Sequence, residues 1–303
     1  MRAVVLGSAA GGGFPQWNCA CAGCGRARSG DTAALPRTQS SLAVSADGRR
    51  WVLLNAAPDL PAQIAANSFL QPGPGRTGRS SPIVGIVLTC GEVDAIAGLL
   101  SLREGHAFVI RGARPTLAIL DDNPIFRVLP PSRVPRLAQD GGTVALTTAA
   151  GEPLGLEMEL FAVPGKPPLF KEADPRPNPG TVGVRIAEPG RPALFFIPGC
   201  ARVMPELRDR LHGAALLLFD GTLWHDREMI EAGLSEKTGA RMGHISISGP
   251  DGAIAALGDL VIERRVFIHI NNTNPVLLSD SPEHAQAIAA GWTIAHDGME
   301  FTL

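Results

Sequence analysis

Tyrosine is absent from this chain, and aromatic residues make up only 5% of it. Proteins that grip single-stranded nucleic acid stack bases on aromatic rings, so a base-stacking platform is excluded first. There is no excess of either charge: 27 Lys and Arg stand against 29 Asp and Glu, a net charge of -2. That balance excludes a general nucleic-acid or membrane-surface binder. No apolar run is long enough to span a bilayer. The opening Met-Arg-Ala-Val-Val-Leu-Gly-Ser reads as a short strand running into glycines, not as a signal peptide. Cysteine is scarce as well. Five in 303 residues are too few and too unevenly spread for the disulfide framework of a secreted chain. Thiols without a signal segment lead to the expectation of a cytoplasmic protein.

Three of the five cysteines fall within six positions, Cys19-Ala20-Cys21-Ala22-Gly23-Cys24. Tetrahedral zinc takes four ligands, and Cys-x-Cys-x-x-Cys supplies three from one tight loop. Redox-active or incidental thiols are the alternatives, and structural Zn2+ is the better fit. The fourth ligand must come from elsewhere, with residues 269–274 and His296 as the sources considered. The glycines Gly11-Gly12-Gly13 follow a strand but lead to Pro15 and the cysteines instead of a helix, which is not a dinucleotide fingerprint. They suit a tight backbone turn beside a metal site.

At 45% hydrophobic the chain can bury a large core, and one domain over residues 1–303 is expected. Strand patterns recur from residues 2–6 to 293–295, including 51–54, 83–89, 108–111, 116–120, 215–219 and 265–270. Helical periodicity appears at 59–66, 94–102, 205–212, 251–257 and 282–290. Ser45-Ala46-Asp47-Gly48 and Glu188-Pro189-Gly190-Arg191 mark hairpin turns. Residues 71–82 and 166–179 read as surface loops. Hairpins mixed with strand–helix units predict two mixed sheets covered by helices.

Four apolar strands each run into polar groups: Asn55 and Asp59; Cys90, Glu92 and Asp94; Asp220; His269 and Asn271. Asp and Asn are common in ordinary turns. Four such strand ends together predict a ligand site at the carboxyl edge of a sheet.

The segment Val87-Leu88-Thr89-Cys90-Gly91-Glu92-Val93-Asp94-Ala95-Ile96-Ala97-Gly98-Leu99 resembles the metallo-β-lactamase superfamily, whose His-x-His-x-Asp-His motif follows an apolar strand. Cys90, Glu92 and Ala95 stand where that motif has histidines, and only Asp94 is kept. Further blocks resemble the pyrroloquinoline quinone (PQQ) biosynthesis branch of the superfamily. They include Pro15-Gln16-Trp17-Asn18-Cys19, Arg37-Thr38-Gln39-Ser40-Ser41, Met242-Gly243-His244 and His269-Ile270-Asn271-Asn272-Thr273-Asn274-Pro275. The resemblance implies an α/β fold, the metallo-β-lactamase-like αββα four-layer sandwich of two mixed β-sheets flanked by helices. It also implies a part in making PQQ from a peptide-derived Glu–Tyr unit. One implied role is an iron-dependent hydroxylase of the tyrosine ring; the other is a carrier of the cofactor or its precursor toward the periplasm. The absence of a spanning segment favours the first.

The resemblance also distributes roles. Asp94, Asp220, His244 and His269 become ligands of an active-site metal, expected to be Fe2+ with dioxygen as co-substrate. Two histidines with one carboxylate are the ligand type of non-haem iron oxygen chemistry. His244 and Asp94 are the expected catalytic groups. Lys166 joins them as a cation facing a substrate carboxylate, and a solvated loop lysine is the alternative. Arg37 is an anchor for an anionic substrate or else a surface arginine. Asn271 is expected at the substrate or supporting His269. The position that carries a histidine in related cysteine-loop folds is Asn272 here, an uncommon fourth zinc ligand. The expected partners are a small-molecule or dipeptide PQQ precursor and other proteins of the same pathway. A homodimer is left open, and neither nucleic acid nor membrane is expected.

Overall fold

The computed structural model describes residues 1–73, 78–172 and 180–303; the expected loops at 71–82 and 166–179 lie partly outside them. Among the described residues, β1 (Arg2–Gly7), β2 (Ser41–Ser45), β3 (Trp51–Leu54), β4 (Ile83–Leu88), β5 (Val109–Gly112), β6 (Arg136–Ala138) and β14 (Glu300–Thr302) form a seven-stranded sheet. Its order is β14-β1-β2-β3-β4-β5-β6. The second sheet contains β7 (Thr143–Thr147), β8 (Pro153–Ala162), β9 (Val182–Ala187), β10 (Leu194–Ile197), β11 (Leu216–Asp220), β12 (Arg265–Ile268) and β13 (Trp292–Ile294). It runs β13-β12-β11-β10-β9-β8-β7. Both sheets are mixed: β1 to β3 pair antiparallel, β3 to β6 parallel, and β10 to β13 parallel.

Strand alternation builds three core layers. Val52 and Leu54 of β3, with Leu216 and Leu218 of β11, pack between the sheets. Trp51 and Leu53 point to the opposite face, where they meet Leu60 and Leu117. Leu217 and Phe219 do the same on the second sheet, against Leu207, Leu257 and Ala287. Strands buried on both faces must be apolar at every position, which is why these read as continuous runs. The covering helices are α1 (Ala22–Arg28), α2 (Leu60–Ala66), α3 (Val93–Ile96), α4 (Arg114–Asp122), α5 (Pro205–Leu211), α6 (Glu228–Glu231), α7 (Gly239–Met242), α8 (Ala253–Leu257) and α9 (Pro282–Ala289). The result is the expected αββα sandwich. Among the described residues no helix is long and apolar enough to cross a membrane.

Residues 116–120, expected as a strand, lie in α4. Thr116, Leu117, Ile119 and Leu120 are the buried positions, a helical spacing, and Pro115 sits in the first turn, where its missing N–H costs nothing. The helix expected at 94–102 divides into α3 and a 3-10 segment over Ala97–Leu102. Helix α1, inside the cysteine segment, and the short strands β6 and β14 gave no pattern long enough to detect. The hairpin at Asp47-Gly48 is present, with Gly48 at φ 69° and Asp47 accepting from the N–H groups of Arg49 and Arg50.

Candidate functional site

The ends of β3, β4, β11 and β12 meet at one cavity of about 490 Å³. Asn55, Thr89, Cys90, Glu92, Asp94, Ala95, Thr222, His269 and Asn271 line it, joined by His244 and Lys166 from loops. The glycine turn enters the wall too: a side chain at Gly11 would stand 3.7 Å from the Asp94 carboxylate. His269 holds φ at 59°, a left-handed conformation unusual for a non-glycine residue. Such strain persists only where the surroundings enforce it, and it clusters at functional sites.

Ligand atoms of Asp220, His244 and His269 lie within 4.8 Å of one another. Their common centre is occupied by the Thr222 hydroxyl. It donates to Asp220 Oδ1 at 2.7 Å, and it lies 3.0 Å from His244 Nδ1 and 2.9 Å from His269 Nδ1. Asp220 is fully buried and does not line the cavity. Its Oδ1 accepts from the Thr222 N–H and O–H, and its Oδ2 from the Cys200 N–H at 2.8 Å and His244 Nδ1 at 2.7 Å. With one hydrogen given to Asp220, the Thr222 oxygen can only accept from an imidazole, so both rings carry their proton on Nδ1. That leaves His244 Nε2 as a lone-pair atom, while His269 Nε2 faces the Asp94 carboxylate. The rings stack 5.2 Å apart at 18°, both tied to the same hydroxyl.

His269 Nε2 meets Asp94 Oδ2 at 2.9 Å. Burial opposes a charged imidazole at His269, but the bond to Asp94 and the charges of Asp94, Asp220 and Glu92 more than offset it and raise its pKa. Burial likewise opposes ionisation of Asp94, and His269 and His244 outweigh it to hold that carboxyl low. A cation between Nε2 and the carboxylate therefore suits both groups. Asp220, His244 and His269 form the donor set close enough to fit one metal ion, and Asp94, bonded to His269, brings a second carboxylate to it from the cavity side. Cys90 adds nothing ionic there: burial, then the Asp94 charge, push its thiol up to about 12.

Lys166 lines the cavity but is already paired. Its Nζ lies 2.7 Å from Glu92 Oε1 and 3.5 Å from Glu172 Oε1, and Glu172 also holds Lys237 at 2.8 Å. The residue at the motif's second histidine position thus carries an ion pair. Arg37 is not in the cavity wall. Its guanidinium is buried, and burial brings it down to about 10, opposed by the charge of Asp297. Asn271 is in the wall.

The second cluster is Cys19, Cys21 and Cys24, with ligand sulfurs within 4.8 Å of one another. Cys21 caps α1 by accepting the Cys24 N–H, so the helix start fixes the loop. The Asn272 amide nitrogen lies 3.1, 3.7 and 3.4 Å from the sulfurs of Cys19, Cys21 and Cys24. In a tetrahedral zinc site with three sulfurs and one oxygen, the corners are about 3.6 Å apart. The amide therefore sits at the fourth corner, and a half-turn brings its oxygen, the ligating atom, to that point. Burial, then the neighbouring thiols, push Cys21 up to about 11. Burial also opposes a charged sulfur at Cys19, yet the Cys21 N–H and the adjoining side chains bring that thiol below its ordinary value. Three packed thiolates need a cation, and this donor set fits zinc. His296 is exposed and bonds the Asp297 carbonyl, away from the group.

Thr222 is the residue that sequence reasoning missed. A hydroxyl two positions after a strand-end carboxylate carries no metal-binding signature, and its role follows only from where β12 places His269.

The sequence pattern of the β-lactamase superfamily domain matches residues 50–270. The chain is 52% identical over 306 residues to coenzyme PQQ synthesis protein B of Gluconacetobacter diazotrophicus, covering 99% of this chain and 98% of the relative. It is 51% identical over 308 residues to the protein of that name from Methylorubrum extorquens, covering 100% of both. The crystal structure of Zn2+-bound PqqB from Methylobacterium extorquens superposes with a TM-score of 0.93 at 49% identity, over 100% of both chains. A diphosphatase of the PhnP family, at 19% identity and a TM-score of 0.67, covers 100% of this chain and 97% of its own and shares the fold.

Proposed function

The chain belongs to the coenzyme PQQ synthesis protein B family of the β-lactamase superfamily, and from that premise we propose that it acts in PQQ biosynthesis as an iron-dependent hydroxylase of the tyrosine ring of a Glu–Tyr precursor. The observation that carries this reading is the grouping of His244 and His269 with the Asp220 carboxylate, and the bond that brings Asp94 to His269 from the cavity side. When bound there, iron would supply the one-electron chemistry toward dioxygen, the co-substrate, that two-histidine, one-carboxylate centres support. Asp220 and Thr222 hold the two imidazoles with Nε2 forward, the carboxylate–histidine arrangement that fixes a ligand's tautomer. Val93, Leu169, Met229 and Met242 give the wall an apolar side for an aromatic ring. Lys166 and Lys237 are ammonium groups of the wall, held by Glu92 and Glu172, and a carboxylate of the precursor would displace one of these partners to pair with them. The thiol group with Asn272 serves as the structural zinc site.

The test is anaerobic loading with Fe2+, then addition of glutamyl-tyrosine, a reductant and dioxygen, with mass analysis. The expected product carries one added oxygen atom, the second leaving as water with electrons from the reductant. Dipeptide binding without added oxygen at full iron occupancy would overturn the hydroxylase reading in favour of a carrier.

Thr222→Val should keep the fold and the thiol-site zinc while weakening metal binding in the cavity by about tenfold or more, since supporting hydrogen bonds contribute on that scale. Thr222→Ser, which restores the hydroxyl, should recover it. Chelator competition on the three proteins measures both; equal affinities for the native protein and Thr222→Val would remove Thr222 from its supporting role.

A further inference from the structure

Beyond the metal ligands, one wall of the cavity is wired to a buried carboxylate. Glu228, on α6, is 6% exposed and touches no ligand position. Its Oε2 accepts the Trp224 N–H at 2.7 Å, and its Oε1 accepts the Thr273 hydroxyl at 2.5 Å. The Thr273 oxygen in turn accepts from Asn271 Nδ2 at 2.6 Å. Asn271 Nδ2 also points at the sulfur of Met229, 3.0 Å away. No described donor reaches Asn271 Oδ1, and Asn271 lines the cavity.

The direction of this chain follows from the chemistry of its ends. Burial raises the pKa of the Glu228 carboxyl, opposed by its bonds from Thr273 and the Trp224 N–H. In its ionised form the carboxylate only accepts, so the single Thr273 hydrogen is then committed to Glu228. The Thr273 oxygen can then only accept, and so can the thioether. An amide turned the other way would set its carbonyl against two acceptors. With Glu228 ionised, the Asn271 amide therefore turns its nitrogen to Thr273 and its carbonyl to the cavity.

We propose that Glu228 and Thr273 are positioning residues that hold the Asn271 carbonyl toward the cavity, so that this wall selects a hydrogen-bond donor on the bound precursor. The substrate class rests on the function proposed above; the amide orientation does not. An α-ammonium or a phenol hydroxyl of a Glu–Tyr unit is the chemistry the carbonyl would read.

Glu228→Gln tests this without changing shape. The Gln carbonyl must still accept the Trp224 N–H, which leaves its NH2 facing Thr273. The Thr273 hydroxyl then turns its hydrogen toward Asn271, 2.6 Å away, in preference to the weaker acceptor sulfur of Met229 at 3.5 Å, and the Asn271 amide reverses to present NH2 to the cavity. Neutron diffraction of the native protein and Glu228→Gln should place the Asn271 deuterons on the Thr273 side in the first and on the cavity side in the second. The same orientation in both would overturn the proposal.

Affinities report the consequence. Glutamyl-tyrosine is compared with glutaryl-tyrosine, which lacks the ammonium, and with glutamyl-phenylalanine, which lacks the phenol. The native protein should prefer the donor-bearing member of one pair by about tenfold. Glu228→Gln should lose or invert that preference. Thr273→Val, which breaks the chain without reversing it and serves if Glu228→Gln does not fold, should lose it only. A preference in neither pair, or one that both variants leave unchanged, would overturn the selection. If none of the three probes binds the native protein, the Glu–Tyr reading fails and so does this wall's selection among its groups, while the neutron result still decides the orientation.

Discussion

Cys21→Ser is expected to release one equivalent of zinc and to lower the melting temperature by about 6 °C. Cys21 has two tasks in the structure, which makes this substitution informative. Its sulfur stands in the thiol group, and it also caps α1 by accepting the Cys24 N–H. Serine is among the best N-cap residues, so the helix should not suffer from the exchange. What serine does not replace is a thiolate ligand. Binding to a structural zinc site contributes directly to folding, and losing one ligand of four forfeits several kcal/mol of it. At about 4 kcal/mol, a chain of this size shifts by about 6 °C. The loop also ties β1, through the glycine turn, to the segment after β12: the Ala10 N–H donates to the Ile270 carbonyl, and Asn272 reaches all three sulfurs. Its loosening should therefore spread to the cavity. Metal analysis and thermal melting check the prediction; unchanged zinc content and melting temperature would mean that the thiols hold no metal. Asn272→Ala should give a smaller loss in both, because the fourth corner is a neutral amide that water can replace.

Much of the fold could be read from the chain because its strands are buried on both faces. Continuous apolar runs such as Leu216-Leu217-Leu218-Phe219 suit strands buried on both faces, and the polar residues that stop them mark the sheet's carboxyl edge. That edge is where the cavity lies. At 116–120 the strand expectation gives way to a helix because four apolar residues in five satisfy both periods, and only the tertiary contact decides. The cysteine cluster and the strand-end polar groups were equally legible, since each is local in sequence.

What was not legible was the division of labour among groups brought together from afar. Asp220 looks in sequence like any carboxylate at a metal edge. In the structure it accepts from Cys200, Thr222 and His244 and does not line the cavity, so it reaches the site from behind the two imidazoles with which it groups. Lys166 looks like a free cation, yet Glu92, 74 residues earlier, neutralises it. Arg37 reads as an anion anchor, but packing turns it away from the wall. Each of these outcomes depends on hydrogen-bond counting between distant segments, which residue type and spacing do not encode.

His269→Ala should leave a folded protein that keeps its thiol-site zinc and loses metal binding in the cavity by about a hundredfold or more. His269 is the one side chain that touches both halves of the site, with Nε2 at Asp94 and Nδ1 at Thr222. Its removal deprives the metal of a ligand. It also leaves Asp94 buried with a partner lost, which moves that carboxyl toward its neutral form and weakens the second donor. The cost to folding should be small, because the ring faces a cavity and the backbone keeps its own bonds: the Ile270 N–H donates to Ser8, and Gly221 donates to the Ile268 carbonyl. Alanine at φ 59° retains the left-handed strain, of order 1 kcal/mol. His269→Asn, a residue that tolerates this conformation, therefore controls for the backbone while still withholding the imidazole. Both variants should lose cavity metal alike and differ only in melting temperature. Metal content after dialysis, with the zinc of the thiol group as internal standard, reads the outcome. Retention of a full cavity equivalent by both variants would mean that the metal is held without His269, and the ligand set of Asp220, His244 and His269 with Asp94 would have to be abandoned.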